Sequence, residues 1–237
     1  MIAIVFGIQG VGKSTMVKKI IEKSKRADWA LLQWGETAFD ICVKQGIIRI
    51  GDYQELEQKE VITADDKRGV AIVKQGEGEF IYVRDQNSIK VAKDEIRHLS
   101  LKFQKQIQKE VVHYFRRLIG NDEKTNYIIE THAALKTKQG YLPGLPKEFL
   151  QSVVPDIYII IEANAGDIFK RRLLDKERKR EHDKTVQDVQ TNLDTTRYFT
   201  SAFAAVTHSP MYIVQNQEGQ ADTSAQEVAE VLLRFLD

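Results

Sequence analysis

A single cysteine, Cys42, stands among 237 residues. No internal disulfide framework can hold this fold, and such a chain suits a reducing compartment. Its setting in the amphipathic stretch "TAFDICVKQG" reads as core filling rather than as a nucleophile. Net charge is nearly absent as well. The 35 Lys and Arg against 34 Asp and Glu leave no bulk field to draw the molecule onto nucleic acid or anionic lipid. No apolar run reaches the ~18 residues of a membrane-spanning helix. No basic segment leads into an apolar run with a cleavage site, so no secretory signal is expected. Internal repeats and low-complexity tracts are missing, and so is the Asn-Lys-x-Asp string with which GTPases read guanine. What is left is a soluble, cytoplasmic protein, long enough for one domain with a sizeable core and an inserted subdomain.

The apolar segments that are present alternate in kind. Ile2–Phe6 is a short, partly β-branched run ending at a glycine, as a buried parallel strand does. Met16, Val17, Ile20 and Ile21 then recur at helical spacing. "WALLQW" (Trp29–Trp34), "NYIIE" (Asn126–Glu130), "DIYIIIE" (Asp156–Glu162) and "MYIVQ" (Met211–Gln215) are four further strand candidates. Between them lie helical patterns: "GETAFDICVKQG", the long stripe from Leu99 to Leu118, Val186–Val206, and "DTSAQEVAEVLLRFL". In the last, Ser224 and Glu227 have capping-box spacing. Five apolar strands alternating with helices predict an α/β fold, a five-stranded parallel sheet with helices on both faces. Gly51–Lys93 breaks the pattern. "GVAIV" and "FIYVR" flank "KQGEGE", which predicts a small β-hairpin insert with a loop longer than the tightest turn. The expected organisation is one domain over 1–237, with an inserted subdomain at 51–93 and an arginine-rich segment at 167–184.

The first strand runs into "GIQGVGKST". Gly7, four intervening residues (Ile8, Gln9, Gly10, Val11), then Gly12, Lys13 and Ser14 satisfy the P-loop pattern. Glycines let backbone N–H groups converge on phosphate oxygens with no Cβ in the way. The helix that follows points its positive end at the same anion. Lys13 is placed to reach the β and γ phosphates of ATP, Ser14 to offer a hydroxyl to Mg²⁺, and Thr15 to bond a phosphate oxygen. Chance would produce the four fixed positions roughly once per hundred chains of this length. Here they also fall between a strand and a helix. Without the guanine motif, and with the loop at residue 7, a small phosphotransferase fits best. The Asp-x-x-Gly string "DKRG", Asp66–Gly69, does not end an apolar strand and is a chance match.

Such an enzyme needs a carboxylate near the metal and mobile positive charge to close over the transferring group. Glu130 ends an apolar strand, where a metal-shell carboxylate would sit; Glu162 ends another and competes for the role. His132 follows closely and is a candidate for the acceptor side. "FKRRLLDKERKREHDK", Phe169–Lys184, carries eight Lys and Arg against four acids. Arg171, Arg172, Arg178 and Arg180 are candidate phosphate clamps, since a guanidinium fork binds phosphate oxygens bidentately. The competing reading is a solvated helix face. Nucleic acid is not expected to bind there, because acids interrupt the run and no aromatics are interleaved.

"ETHAALKTKQGYLPGLP" resembles the Asp-Thr-His … Lys-Thr-x-x-Gly-Tyr-Leu-Pro-Gly-Leu-Pro segment of the archaeal-type adenylate kinase family. "GIQGVGKST" is similar to that family's P-loop, and "WGETAFDICVKQG" to its Phe-Gly-x-x-Met-Phe-Glu-Val-Ala helix. "DEIRHL" is similar to its Asp-x-Ile/Met-Arg-x-Leu, "RRLLDKERKRE" to its Arg-Arg-x-x-Asp-x-x-Arg-x-Arg-Asp, and "IVQN" to the strand before its last helix. The resemblance implies a P-loop nucleotide-kinase fold that transfers phosphoryl from MgATP to AMP, reversibly, giving two ADP. It implies Gly7–Thr15 for the ATP triphosphate, with Lys13 stabilising the migrating group. It implies Arg97 for the AMP phosphate, with Gly35 and Phe39 walling that site, and Glu130, Thr131 and His132 between donor and acceptor. Arg172, Arg178 and Arg180 would be lid arginines, and Arg197 a further one on the next helix. Family members are typically cytoplasmic and often trimeric, so a homo-oligomer is implied, with nucleotides as the partners.

This chain departs from the pattern in three places. Glu130 stands where the family has Asp, and one methylene moves a carboxylate by roughly a bond length; the metal would then be held through water. Glu181 replaces the last Asp of the lid string. Gly51–Lys93 is extra, and lies just before Arg97. Two alternatives remain on residues alone. One is a P-loop kinase with another nucleoside monophosphate or a small alcohol as acceptor. The other is a non-enzymatic ATP-binding or RNA-associated module.

Overall fold

The computed structural model describes residues 1–24, 28–51, 56, 60–86, 89–122, 124–137, 140–174 and 185–236. In chain order the elements begin with β1 (Ile2–Phe6), α1 (Lys13–Lys23), β2 (Trp29–Gln33), α2 (Trp34–Lys44) and β3 (Ile48–Ile50). Then come β4 (Glu60–Asp65), β5 (Val70–Gln75), β6 (Gly78–Val83) and α3 (Ile89–Glu95). A 3₁₀ turn, Ile96–His98, leads to α4 (Leu101–Gly120), β7 (Asn126–Glu130), β8 (Ala134–Thr137) and β9 (Gly140–Pro143). The rest is α5 (Lys147–Ser152), β10 (Ile157–Glu162), α6 (Ala165–Leu174), α7 (Val186–Thr207), β11 (Met211–Gln215) and α8 (Ala221–Leu233). Among the described residues no helix is long and apolar enough to cross a membrane.

Two compact units divide the chain. The first comprises Met1–Gln33, Arg116–Leu135 and Pro143–Asp237. Its sheet has the order β11-β10-β1-β7-β2, every pair parallel. All five strands are those anticipated, and the parallel α/β class is borne out. Both faces of the central strands are buried, as helices on either side require. Ala3 and Val5 of β1 and Ile157, Ile159 and Ile161 of β10 join Met16, Val17 and Ile20 of α1 and Val228 and Leu232 of α8 in one apolar cluster. The alternate residues face the other way. Phe6 stacks on Tyr158 at 5.9 Å between ring centroids, and Phe203 of α7 lies 6.0 Å from Phe6.

Helix ends in this unit follow local chemistry. Thr185 caps α7 in a capping box, its hydroxyl accepting from the Asp188 N–H while the Asp188 carboxylate accepts from the Thr185 N–H. The box expected at Ser224 and Glu227 does not form. Helix α8 starts a turn earlier, after Gln220, and buried Ser224 donates its hydroxyl to the Gln215 carbonyl at 2.6 Å. Glu227 accepts from the Tyr212 hydroxyl instead.

The second unit comprises Trp34–Phe115 and Lys136–Leu142. Its sheet, β3-β6-β5-β4, contains four strands rather than the two of a hairpin. Here β3 is parallel to β6 and the other pairs are antiparallel. The β5–β6 connection is tighter than expected. Gln75 pairs with Gly78, leaving a two-residue turn at Gly76 and Glu77, with Gly76 at φ 60°. Lys74 and Glu79, read as loop, therefore belong to the strands, and Glu77 alone of the charged residues lies in the turn. Leu56, Ala71, Val73 and Tyr82 form a small core, and the Arg49 guanidinium stacks 3.6 Å from the Phe80 ring centre. The string Asp66–Gly69 closes the turn between β4 and β5. On α2, Trp34, Ala38 and Cys42 face inward, and Trp34 meets Phe115 edge-on at 5.3 Å. Cys42 is fully buried, and burial pushes its thiol pKa up to about 12.

Candidate active site

In a parallel α/β sheet, ligands gather beyond the carboxyl ends of the strands where the chain order reverses. Here that point lies between β1 and β7: one connection leaves β1 for β2 at one edge, and β10 and β11 lie on the other side. Strand β1 ends at Phe6 and delivers Gly7–Thr15. Strand β7 ends at Glu130, which pairs in register with Val5 of β1 and Gln33 of β2. The register alone puts an acid beside the root of the glycine loop.

The side chains complete the arrangement. Glu130 Oε1 accepts from Lys13 Nζ at 2.9 Å and from Ser14 Oγ at 2.7 Å, and Oε2 accepts from Gln33 Nε2 at 2.8 Å. The ion pair is almost out of solvent, with side chains 10% and 7% exposed for Lys13 and Glu130. Burial alone would raise the Glu130 pKa. The Lys13 charge and the three hydrogen bonds outweigh it and hold the carboxyl below its ordinary value. Glu130 is thus ionised, and one of its oxygens orients the side chains of both Lys13 and Ser14.

The loop itself is held from outside. Gly10 and Gly12 are left-handed, at φ 84° and 87°. The carbonyl between them, that of Val11, accepts from the buried Asn216 side chain at 2.8 Å. The Gln9 carbonyl accepts from Arg172 Nε and Nη2 at 2.8 and 2.6 Å. A Cβ on Gly12 would stand 2.7 Å from the Asn216 amide nitrogen, and one on Gly7 2.9 Å from Val11 Cγ1. Two loop carbonyls are thus engaged from outside, while the Val11 N–H donates to the Ile8 carbonyl at 3.4 Å. A glycine-rich turn of this kind can direct its other N–H groups at an anion.

The structure places the other expected residues as follows. Thr131 is buried, and its N–H donates to the Val5 carbonyl at 3.1 Å. His132 is half-buried in the next position. Gly144, in "GYLPGLP", packs on the His132–Ala133 backbone and donates its N–H to the Ala133 carbonyl at 2.8 Å. Arg197 does not stand alone: Nε and Nη2 bind the two oxygens of Glu162 at 2.6 and 2.5 Å, with Gln215 Nε2 donating to Oε2. Glu162, the competitor of Glu130, is committed to that pair. Arg172 is buried on α6, while Arg178 and Arg180 lie outside the described residues. Gly35, Phe39 and Arg97 belong to the second unit. There Gly35 and Phe39 sit on α2, which Lys93 of α3 joins through Glu36. Arg97 is half-buried in the 3₁₀ turn, its Nε donating to His98 Nε2 at 3.4 Å. Sequence reading missed Gln33 and Asn216, although each is a polar residue at the end of an apolar strand beside the glycine loop.

A family model described as an AAA domain matches residues 67–190, a span that begins beyond the glycine loop and takes in Glu130, His132 and Arg172. The adenylate kinase of Methanocaldococcus jannaschii is 25% identical over 233 residues, 98% of this chain and 97% of its own. That of Thermococcus sibiricus is 27% identical over 236 residues, 100% of this chain and 95% of its own. That of Methanopyrus kandleri is 32% identical over 141 residues, 59% of this chain and 72% of its own.

Proposed function

The chain belongs to the AAA domain family and to the archaeal adenylate kinases, and we infer that its reaction is the reversible transfer of a phosphoryl group from ATP to AMP, giving two ADP. The observation that carries this reading is the hold of Glu130 on both Lys13 and Ser14 of the glycine loop. An AMP phosphate oxygen bonds to the γ-phosphorus, and the bond from that phosphorus to the β–γ bridging oxygen breaks. The electron pair stays on the β-phosphate, so both products are ADP and no external base is needed. Catalysis then rests on position and charge.

The residue roles follow from the chemistry of each group. Loop N–H groups and Lys13 take the donor phosphates, with Thr15 bonding a phosphate oxygen. Glu130 fixes where the Lys13 ammonium stands. Ser14 and Glu130 offer hard oxygen donors 2.7 Å apart, a pair suited to magnesium. Magnesium, when bound, neutralises charge on the β and γ phosphoryl oxygens. Arg97 takes the AMP phosphate, with Gly35 and Phe39 beside it in role. Thr131 and His132 serve the acceptor, and Arg172, Arg178, Arg180 and Arg197 meet charge on the phosphoryl group in flight. The same reading makes the protein a cytoplasmic homo-oligomer, trimeric as the family often is, with 51–93 as an insert and 167–184 as a lid.

A coupled assay of ATP with a panel of acceptors tests it. AMP should give ADP at the highest kcat/KM, and Arg97→Ala should raise KM for AMP more than for ATP. Faster turnover with another monophosphate or a small alcohol would reassign the acceptor. ATP binding with no acceptor-dependent turnover would end the enzymatic reading.

A further inference from the structure

The sheet of the second unit grips the segment that carries Arg97 on both sides of that residue. The turn between β4 and β5 is closed by N–H donations from Arg68 to Asp65 and from Gly69 to Asp66, at 3.1 and 3.3 Å, with Gly69 left-handed at φ 64°. From this fixed turn Arg68 reaches the last residues of α3. Its Nη1 donates to Glu95 Oε1 at 2.9 Å and its Nη2 to Asp94 Oδ2 at 3.4 Å. The three side chains are only 18%, 22% and 14% exposed, in the order Arg68, Asp94, Glu95. On the far side of Arg97, Glu79 of β6 accepts the backbone N–H of Ser100 at 2.7 Å. Strands β5 and β6 pair without a break from Val70–Val83 to Gln75–Gly78, and the Arg84 N–H donates to the Gly69 carbonyl at 2.9 Å, so one continuous ladder joins Glu79 of β6 to the turn that carries Arg68. Between them, buried Gln104 donates to the carbonyls of Arg97 and Leu99 at 2.9 and 2.6 Å.

We propose that Arg68 and Glu79 are positioning residues for Arg97, and that this is what the sheet β3–β6 contributes to the reaction. The proposal rests on the assignment of Arg97 to the AMP phosphate. A guanidinium must meet a phosphate within a few tenths of an ångström to bind it bidentately. Arg97 sits in a short 3₁₀ turn, which has weak hydrogen-bond geometry of its own to fix its direction. Without Arg68, the adjacent carboxylates of Asp94 and Glu95 repel each other at the end of α3. Without Glu79, the Ser100 N–H loses its acceptor where α4 begins. Either loss lets the turn swing, and the acceptor phosphate is held less well while the ATP loop is untouched.

The experiment compares Arg68→Gln, Glu79→Ala, Arg97→Ala and their combinations, with thermal unfolding confirming that each variant is folded. Arg68→Gln and Glu79→Ala should each raise KM for AMP about tenfold, with KM for ATP and kcat within about twofold. Added to Arg97→Ala, they should raise KM for AMP no further, because their effect passes through Arg97. Arg68→Lys, which keeps the charge and loses the fork, should fall between and serves if Arg68→Gln does not fold. An unchanged KM for AMP in folded Arg68→Gln and Glu79→Ala proteins, beside a raised KM in Arg97→Ala, overturns the positioning role alone. So does a further rise when either is combined with Arg97→Ala. If Arg97→Ala itself leaves KM for AMP unchanged, the acceptor assignment falls and this inference falls with it.

Discussion

Gly144 lies against the backbone of His132 so closely that a Cβ there would stand 1.7 Å from the His132 carbonyl oxygen. The next nearest atoms, the His132 and Ala133 carbonyl carbons, are backbone too, at 2.8 and 3.0 Å. No rotamer change can relieve such a contact. Gly144→Ala should therefore cost about 3 kcal/mol or more. Gly140, in the same motif, has open space around it and only its φ of 117° to demand glycine. Gly140→Ala should cost about 1–3 kcal/mol through backbone strain. Denaturant unfolding of the two variants checks the order, and equal losses would contradict it.

Glu130 predicts a particular pH dependence. Its folded pKa lies below the ordinary value of 4.5. A depressed carboxyl contributes stability that is fully present above the unfolded value and is lost as pH falls through the folded one. The stability difference between the parent protein and Glu130→Gln should thus be constant from pH 7 down to about 5, then shrink below 4.5. Unfolding titrations from pH 2.5 to 7 measure it. A difference that grows on acidification would reverse the assigned sign.

How far these features were legible in the sequence depends on the distance over which their causes act. Strand β1, the glycine loop and α1 are contiguous, and local chemistry dictates each in turn. Glu130 was legible as a candidate because it ends a buried apolar strand, but Glu162 ends another, and only the fold shows Glu162 paired with Arg197 and Glu130 with the glycine loop. Gln33 and Asn216 were not, because their partners lie 97 and 205 residues away in the chain. Gly144 carried a specific motif, but only the fold shows which backbone it meets. Strand β4 was missed for a different reason. Nearly all its residues are exposed, so no alternation marks it. The Ser224 box failed because α8 starts after Gln220, which leaves Ser224 inside the helix, buried, with its hydroxyl given to the Gln215 carbonyl.

In the role proposed for Lys13 its ammonium meets charge that develops only in transfer, so Lys13→Met should lower kcat by at least ~10³-fold. Its removal also takes away the nearest cation of Glu130, whose pKa should then rise, since burial opposes ionisation and Lys13 is the main opposing cause. The two readouts are independent. Kinetics reports the first, and carboxyl NMR of Glu130 the second. Near-normal turnover in a folded Lys13→Met protein would remove this lysine from the chemistry. An unshifted Glu130 would show that Ser14 and Gln33 suffice to keep it charged.

Arg197 and Glu162 give the last prediction, and it separates support from catalysis. Glu162 is 2% exposed at the side chain and Arg197 44%, so the carboxylate bears the desolvation. The bidentate hydrogen bonds to Glu162 keep Arg197 charged. Removing the arginine strands a buried anion, whereas removing both charges does not. Arg197→Met should cost about 2 kcal/mol, and Arg197→Met with Glu162→Gln should cost less than Arg197→Met alone. If Arg197 also touches the migrating phosphoryl group, kcat stays low in the double variant although stability returns. If it only neutralises Glu162, activity recovers together with stability. Paired unfolding and turnover measurements on the three proteins distinguish the two roles, and a double variant less stable than the single would rule out the stranded-anion account.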